Sequence, residues 1–214
     1  MRPKRLAAFT LMEMLIVIAI IGILAAILIP TLNAARLRAK IATTKTEISH
    51  ISAAIQSYAS KYGDFPPSGL SAFGVKSNGQ NNGAESMLAC LATTQQGGPY
   101  MDWPENRLAN IDEDSAKTNV TKWWFGDNQL REMVDIWGNP LVYFHFRDYD
   151  KPKSFGKYLL SNGEELDCVP QKSARTSAYH NASSFQIWSF GPNCQNEDGG
   201  SSDPETMSDD IPNW

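Results

Sequence analysis

Glu13 is the one ionisable residue between Phe9 and Leu32, in a run that is otherwise mainly apolar. A helix of about 20 apolar residues is long enough to cross the hydrocarbon core of a bilayer. A carboxylate inside hydrocarbon costs on the order of 2.5 to 3.5 kcal/mol, so Glu13 requires a partner there. We therefore predict that Glu13 has a partner and a functional role within the membrane. The alternative is a plain signal anchor that carries an incidental carboxylate.

A second group of carboxylates lies near the C-terminus, where no lysine or arginine follows Arg175. Its members include Asp198, Asp203, Glu205, Asp209 and Asp210. Such one-sided charge favours a cation site over a polyanion site, and hard cations take carboxylate, amide and main-chain carbonyl oxygens as ligands. A disordered acidic tail is the alternative, but the apolar residues Ile211 and Trp214 argue against it.

The histidines and cysteines show no catalytic or zinc-binding spacing. No H-E-x-x-H, G-x-S-x-G or Walker-type motif is present, so we expect no enzymatic activity. An odd cysteine count allows one disulfide, and we predict the pair Cys168–Cys194 because these residues flank a predicted hairpin; spacing alone does not determine connectivity. The residues concerned are His50, His145, His180, Cys90, Cys168 and Cys194.

A short basic segment, residues 1–8, precedes the apolar run and contains Arg2, Lys4 and Arg5. Positive charge on this flank predicts a cytoplasmic N-terminus and export of the rest of the chain. Cleavage inside the run at Ala25-Ala26 would leave an apolar stub, so the expected cut lies between Ala8 and Phe9. Without the leader the chain has 16 basic and 23 acidic residues, which makes nucleic acid an unexpected partner.

The segment Phe9-Thr-Leu-Met-Glu13 resembles the F-T-L-x-E signature of type IV pilins and type II secretion pseudopilins, and Gly22 and Pro30 also fall where that family has them. The resemblance implies cleavage by a prepilin peptidase, N-methylation of Phe9, and pairing of Glu13 with the new amino group of a neighbouring subunit. The chain departs from the family at Ala8, where the family usually has glycine.

Two further segments resemble the major pseudopilin of that family. Asp135-Ile-Trp-Gly-Asn-Pro140 is similar to its D-P-W-G-x-P turn, with Ile136 in place of a proline. Here glycine permits the tight backbone, proline restricts φ and tryptophan packs on the helix, so a structural role is expected. The last residues resemble the family's L-x-S-x-G-x-D-G and D-D-I-x-N-W segments, which fold around calcium.

The resemblance implies a set of calcium ligands in this ending. Asn193 stands where the family has aspartate, which keeps an oxygen but removes one charge. Asp209 and Asp210 match the paired acids of the family, while Asp198 and Asp203 lie in an insertion and are weaker candidates. Main-chain carbonyls would complete the coordination shell at Ile187, Ser189 and Met207.

The sequence predicts an α+β fold, with a long N-terminal helix packed on a small antiparallel sheet and a C-terminal calcium-type loop. Isoleucines and tyrosines at helical spacing continue the helix to Tyr62, and Gly63 and Pro66-Pro67 end it. Strands are expected at 141–146, 155–161 and 185–190, and a short helix at 84–91. The expected regions are a leader 1–8, a transmembrane helix 9–32, an amphipathic helix 33–62, and a head 63–214 with a loop insertion 78–128 and an acidic loop 191–214.

The function implied by the resemblance is that of a bacterial inner-membrane, single-pass subunit that polymerises into a periplasmic pseudopilus for type II secretion. Implied partners are further copies of the chain, minor pseudopilins, prepilin peptidase and the inner-membrane assembly platform. One alternative is a surface type IV pilin. Another is a membrane-anchored periplasmic binding protein that uses the tryptophan-rich stretch from Trp103 to Phe125, whose aromatics are otherwise expected in the core.

Overall fold

The computed structural model describes residues 11–94, 97–116, 126–173, 175–196 and 209–214. Helix α1 spans Leu11–Tyr62 and continues through Pro30. Proline has no N–H, so the carbonyl of Ala26 loses its helical donor. The hydroxyl of Thr31 donates to the carbonyls of Leu28 at 2.8 Å and Ile27 at 3.3 Å, which satisfies neighbouring groups of the same turn.

The chain forms two compact units, Met1–Lys40 and Ile41–Trp214. In the first unit, the described part of α1 exposes leucine, isoleucine and methionine side chains on all sides. It is long and apolar enough to cross a membrane, and none of its most apolar stretch is buried by other parts of the chain. A helix that is apolar all round is typical of a membrane span.

The second unit combines the rest of α1 with short helices and strands. Helices α2 and α3 span Asn82–Ala92 and Pro152–Phe155, and 3-10 turns span Leu70–Phe73, Glu105–Arg107 and Phe146–Asp148. Within the described residues the strands are β1 Leu108–Ala109, β2 Glu132–Met133, β3 Val142–His145, β4 Lys157–Leu159, β5 Glu165–Asp167, β6 Phe185–Ser189 and β7 Ile211–Pro212. They pair antiparallel as β1-β2, β3-β6-β7 and β4-β5.

The three-stranded sheet separates two apolar clusters because its side chains alternate between faces. Tyr143 and Ile187 face the α1 helix, and each isoleucine fully buried there contributes about 1.5 to 3 kcal/mol. Val142 and Trp188 face the opposite cluster. The first cluster contains Ile48, Ile51, Ile55, Tyr58, Met87, Leu91, Leu141 and Phe185. The second contains Phe144, Tyr158, Leu160, Cys168 and Phe190. The predicted α+β class, with the long helix packed on small antiparallel sheets, is confirmed.

The stretch 78–128 differs from the loop region that we predict. Its helix is confirmed, but every residue of α2 is buried and the helix packs in the core beside α1 and β3. Glu47 also differs, because we expect it on a solvated face and it instead forms an ion pair with the buried Arg107. The composition of this stretch, rich in glycine and asparagine, does not predict a buried helix. Helical periodicity does not predict the ion pair between Glu47 and Arg107 either.

Candidate functional site

Glu13 lies near the N-terminal end of the described part of α1. Its side chain is exposed, and so are its apolar neighbours Leu11, Met12 and Met14. This arrangement places one carboxylate on an apolar helix surface. The predicted processing residues Ala8 and Phe9 lie outside the described residues.

The C-terminal residues form a second site around strand β7. Ser189 in β6 is in register with Ile211 in β7, which places Asp210 beside the end of β6. Gly191 has φ of +68°, and a Cβ atom there would overlap the carbonyl oxygen of Asp209. Only glycine permits this close approach. As a result the N–H of Asn193 donates to Asp209 Oδ2 at 3.0 Å.

The donor set of this second site suits a hard cation. Asp209 Oδ1 and Asp210 Oδ1 are buried oxygen atoms, and Asp210 is 8% exposed although it is a carboxylate. Asn193 and the Ser189 main chain lie on the adjoining segment, and oxygen ligands of these kinds are those that calcium takes. The Ile187 carbonyl already accepts the N–H of Asn213 at 3.0 Å, so a metal would share that oxygen.

Three of the predicted calcium ligands, Met207, Asp198 and Asp203, lie outside the described residues. The last residues of the chain, 209–214, contact other parts of the second unit. The amide oxygen of Asn213 accepts the N–H of Ile187 at 3.2 Å. Trp214 stacks on His180 at 5.0 Å between ring centroids. The prediction that the apolar C-terminal residues are ordered is confirmed.

Asp135 connects its own turn to strand β6, and we do not predict this connection from the sequence. Its Oδ1 accepts the N–H groups of Trp137 at 2.9 Å and Asn139 at 3.0 Å, and its Oδ2 accepts the hydroxyl of Ser189 at 2.6 Å. Burial raises the pKa of Asp135, and these hydrogen bonds oppose that shift. The first residue of the D-x-W-G-x-P turn therefore connects the turn to β6, next to the C-terminal site. An aspartate at the start of a turn is the signal that could reveal the two backbone contacts.

All three cysteines are thiols in the structure. Cys90 and Cys168 are buried and Cys194 is half-buried. Cys168 belongs to the second apolar cluster and Cys194 packs against it, so the pair Cys168–Cys194 stays a prediction. Burial raises the pKa of the Cys90 thiol to about 12, which makes this cysteine a poor nucleophile.

The remaining candidates lie in structural surroundings. Trp103 is half-buried against the first apolar cluster, while Trp123 to Phe125 lie outside the described residues. His145 Nε2 lies 3.1 Å from Asp64 Oδ1. His50 lies on α1, where it is exposed. These positions agree with structural or solvated roles for the aromatics and histidines.

Comparisons with known proteins find similarity at the N-terminus and over two thirds of the chain. Residues 3–29 match the family model of the prokaryotic N-terminal methylation motif. A type II secretion system core protein G from Pseudomonas aeruginosa is 31% identical over 144 residues, which cover 67% of this chain and 76% of that protein. No solved structure matches the chain. With an apolar helix that carries Glu13 and an α+β unit behind it, the chain belongs to the type II secretion pseudopilins, in the family of core protein G.

Proposed function

We propose that this pseudopilin is a structural subunit that polymerises into a periplasmic fibre driving type II secretion, without catalysing a reaction itself. The observation that carries the proposal is Glu13, a single carboxylate in the first turn of an otherwise apolar helix surface. Such a surface needs cover by lipid or by other helices, because exposed apolar area is unfavourable in water.

In this proposal, processing of the N-terminus creates the partner of the Glu13 carboxylate. Prepilin peptidase cuts between Ala8 and Phe9, and the new amino group of Phe9 is N-methylated. This cation and the Glu13 carboxylate of a neighbouring subunit neutralise each other in a medium where either charge alone is costly. The pair sets the register between subunits, so that helices bundle along the fibre axis while the heads, residues 63–214, lie outside.

The basic leader places the N-terminus in the cytoplasm and the head in the periplasm, with one helix across the inner membrane. The partners in this scheme are further copies of the chain, minor pseudopilins, prepilin peptidase and the inner-membrane assembly platform. Support comes from the family membership and from the membrane-length helix.

The C-terminal site binds calcium in this proposal, through Asn193, Asp209, Asp210 and main-chain oxygens near Ser189. The ion supplies positive charge that offsets the carboxylates of the acidic loop. Asp209 and Asn193 are already held together by a hydrogen bond. Asn193 and Asp209 therefore lie together near the end of β6, and the cation makes that arrangement more favourable.

The assembly role is tested by Glu13→Ala in the full chain, with Met14→Ala as the matched control on the adjacent helix position. We expect Glu13→Ala to abolish fibres seen by electron microscopy and to stop secretion, while Met14→Ala retains both. Protease resistance of the head measures its folding in each variant. Mass spectrometry of the mature N-terminus, beginning at N-methylated Phe9, reports processing separately.

Normal fibres from the Glu13→Ala variant would refute the proposed ion pair. An intact Met1 on the wild-type chain recovered from membranes would instead refute processing, and it would favour the membrane-anchored binding protein, for which Glu13 is dispensable.

A further inference from the structure

Four carboxylates from three segments meet inside the second unit, and none of them belongs to the C-terminal acidic loop. Glu85 lies on α2, Glu132 on β2, and Asp112 and Asp114 on the segment after β1. One carboxylate oxygen each from Glu85, Asp112 and Glu132 lie within 4.8 Å of one another. The carboxyl of Asp114 contacts that of Glu85. We call these four residues the internal cluster.

Glu85 provides a second observation that points to a ligand. The residue is 1% exposed, and neither of its side-chain oxygens has a hydrogen-bond partner in the described part of the chain. The inner oxygens of Asp112 and Asp114 are also buried without a hydrogen-bond partner there. A buried carboxylate oxygen without a donor is strongly unfavourable, so four such oxygens at one place require positive charge.

The protein itself offers few donors to the other oxygens. Glu132 accepts one hydrogen bond from the amide of Asn81 at 2.9 Å and one from the N–H of Ile111 at 3.1 Å. Asp112 accepts the amide of Asn78 at 2.9 Å. In the residues that the structure describes, no lysine or arginine forms an ion pair with any member of the internal cluster.

The size and chemistry of the internal cluster match a hard divalent cation. Calcium is bound by oxygens at about 2.3 to 2.6 Å, so ligands on opposite sides of the ion are about 4.8 Å apart. Three oxygens that all lie within 4.8 Å of one another can therefore contact one such ion together. The four side chains offer oxygen only, whereas zinc prefers nitrogen and sulfur ligands.

Protonation is the competing way to relieve the repulsion. Burial and the carboxylates of Asp114, Asp112 and Glu132 raise the pKa of Glu85 to about 11 in the absence of an ion. A protonated Glu85 would donate to Asp114 and need no metal. The two explanations differ in whether calcium binds and in what the substitution Glu85→Gln does.

We propose that Glu85, Asp112, Asp114 and Glu132 bind one calcium ion inside the second unit, as a site separate from the C-terminal loop. The ion would join α2, the segment after β1, and β2. The positive charge of the ion would offset the negative charge of Glu85, which α2 places in the core.

The test measures calcium bound to the full chain in detergent, by elemental analysis and calorimetric titration after removal of metal with EDTA. We expect the double variant Glu85→Gln, Asp112→Asn to bind one calcium fewer per chain than wild type. The matched control, Glu105→Gln, Asp102→Asn, changes two exposed acids of the same region and should bind as wild type does. Calcium should raise the melting temperature of wild type more than that of the double variant.

An equal calcium count in wild type and the double variant would overturn the proposal and leave a protonated Glu85. A second measurement uses the wild-type chain, so it does not depend on folding of a variant. Carbodiimide labelling read by mass spectrometry should modify Asp112 in EDTA and leave it protected in calcium, with Asp102 labelled equally in both. Equal labelling of Asp112 in the two conditions would also overturn the proposal.

Discussion

At the scale of the residue, the surroundings decide what a carboxylate does in this protein. Glu13 lies on an apolar helix surface, and we propose that its charge pairs with a cation of another subunit. Asp135 is 2% exposed but accepts three hydrogen bonds, so these donors stabilise its negative charge. Glu85 is equally buried and accepts none in the described structure. The same functional group therefore forms the turn at Asp135, and its proposed roles are assembly at Glu13 and cation binding at Glu85.

Replacement of Asp135 by alanine should destabilise the second unit by roughly 2 to 4 kcal/mol. The substitution leaves the N–H groups of Trp137 and Asn139 and the hydroxyl of Ser189 without their acceptor, and each buried unsatisfied donor costs about 1 to 3 kcal/mol. Urea unfolding of the full chain in detergent measures the change. Ser189→Ala, which removes one of the three contacts, should cost about 1 kcal/mol; equal stabilities of Asp135→Ala and wild type would contradict the role of this turn.

Asp64 should make a pH-dependent contribution to stability. Burial alone would raise its pKa, but hydrogen bonds from His145 and the Phe65 N–H and the charge of Arg147 lower it overall. Its contribution is therefore present above the unfolded pKa of about 3.9 and is lost as pH falls through the lower folded pKa. Its side chain is 39% exposed, so we expect less than about 1 kcal/mol.

The measurement is the difference in unfolding free energy between wild type and Asp64→Asn, determined at pH 6 and at pH 3. The difference should be larger at pH 6. Asp150→Asn, at another exposed carboxylate of the same region, is the control for the loss of one surface charge. A difference for Asp64→Asn that is larger at pH 3 would contradict the sign of the shift.

At the scale of the element, α2 is the part of the fold that most depends on close packing. A Cβ atom on Gly83 would overlap the carbonyl oxygen of Tyr143 and come within 2.6 Å of the hydroxyl of Tyr158. That hydroxyl also donates to the Tyr143 carbonyl and accepts its N–H, so it cannot move away without losing two contacts. The first turn of α2 therefore rests directly on β3.

Gly83→Ala should destabilise the protein by about 1 to 3 kcal/mol, the usual cost of overpacking a core, although alanine is the better helix former. Thermal unfolding followed by circular dichroism measures the loss. Ser86→Ala, on the same buried helix, removes a hydroxyl that has no hydrogen-bond partner in the described residues and should change stability little. A stabilised Gly83→Ala variant would show that α2 does not pack as closely as described.

At the scale of the whole molecule, the chain divides its work between two compact units. The first supplies an apolar helix suited to a membrane and to a helical bundle, and the second supplies a folded α+β unit. Strand β7 closes the second unit by pairing with β6, and it follows immediately after Asp209 and Asp210. The calcium ion that we propose for the C-terminal site is thus expected to affect the stability of the entire unit.

EDTA should lower the melting temperature of the full chain, and Asp209→Asn with Asp210→Asn should reduce that effect. At free calcium a hundredfold above Kd, one site contributes about 2.7 kcal/mol to folding. Asp167→Asn, an exposed carboxylate on β5, is the control and should respond to EDTA as wild type does. If the double variant responds to EDTA like wild type, calcium does not bind at Asp209 and Asp210.

Several features could be predicted from the sequence because they depend on neighbours along the chain. A membrane-length apolar run, the carboxylate within it, the helix end at Gly63 and the alternation of β3 are local patterns. Each has its own physical cause: hydrocarbon thickness, the cost of a charge, the conformational freedom of glycine and the pleat of a strand. The α+β class follows from these patterns, as does the expectation of a structural role.

By itself the sequence determined the membrane-length helix, the single carboxylate within it and the resemblance to the family to which the chain belongs. Only the tertiary structure decided that α2 is buried, that Asp135 binds Ser189, and that Glu85 meets Asp112 and Glu132. Those residues lie on segments far apart along the chain. Their meeting depends on how whole elements pack, and hydrophobic periodicity specifies which face of an element is inward but not which distant residue it will contact.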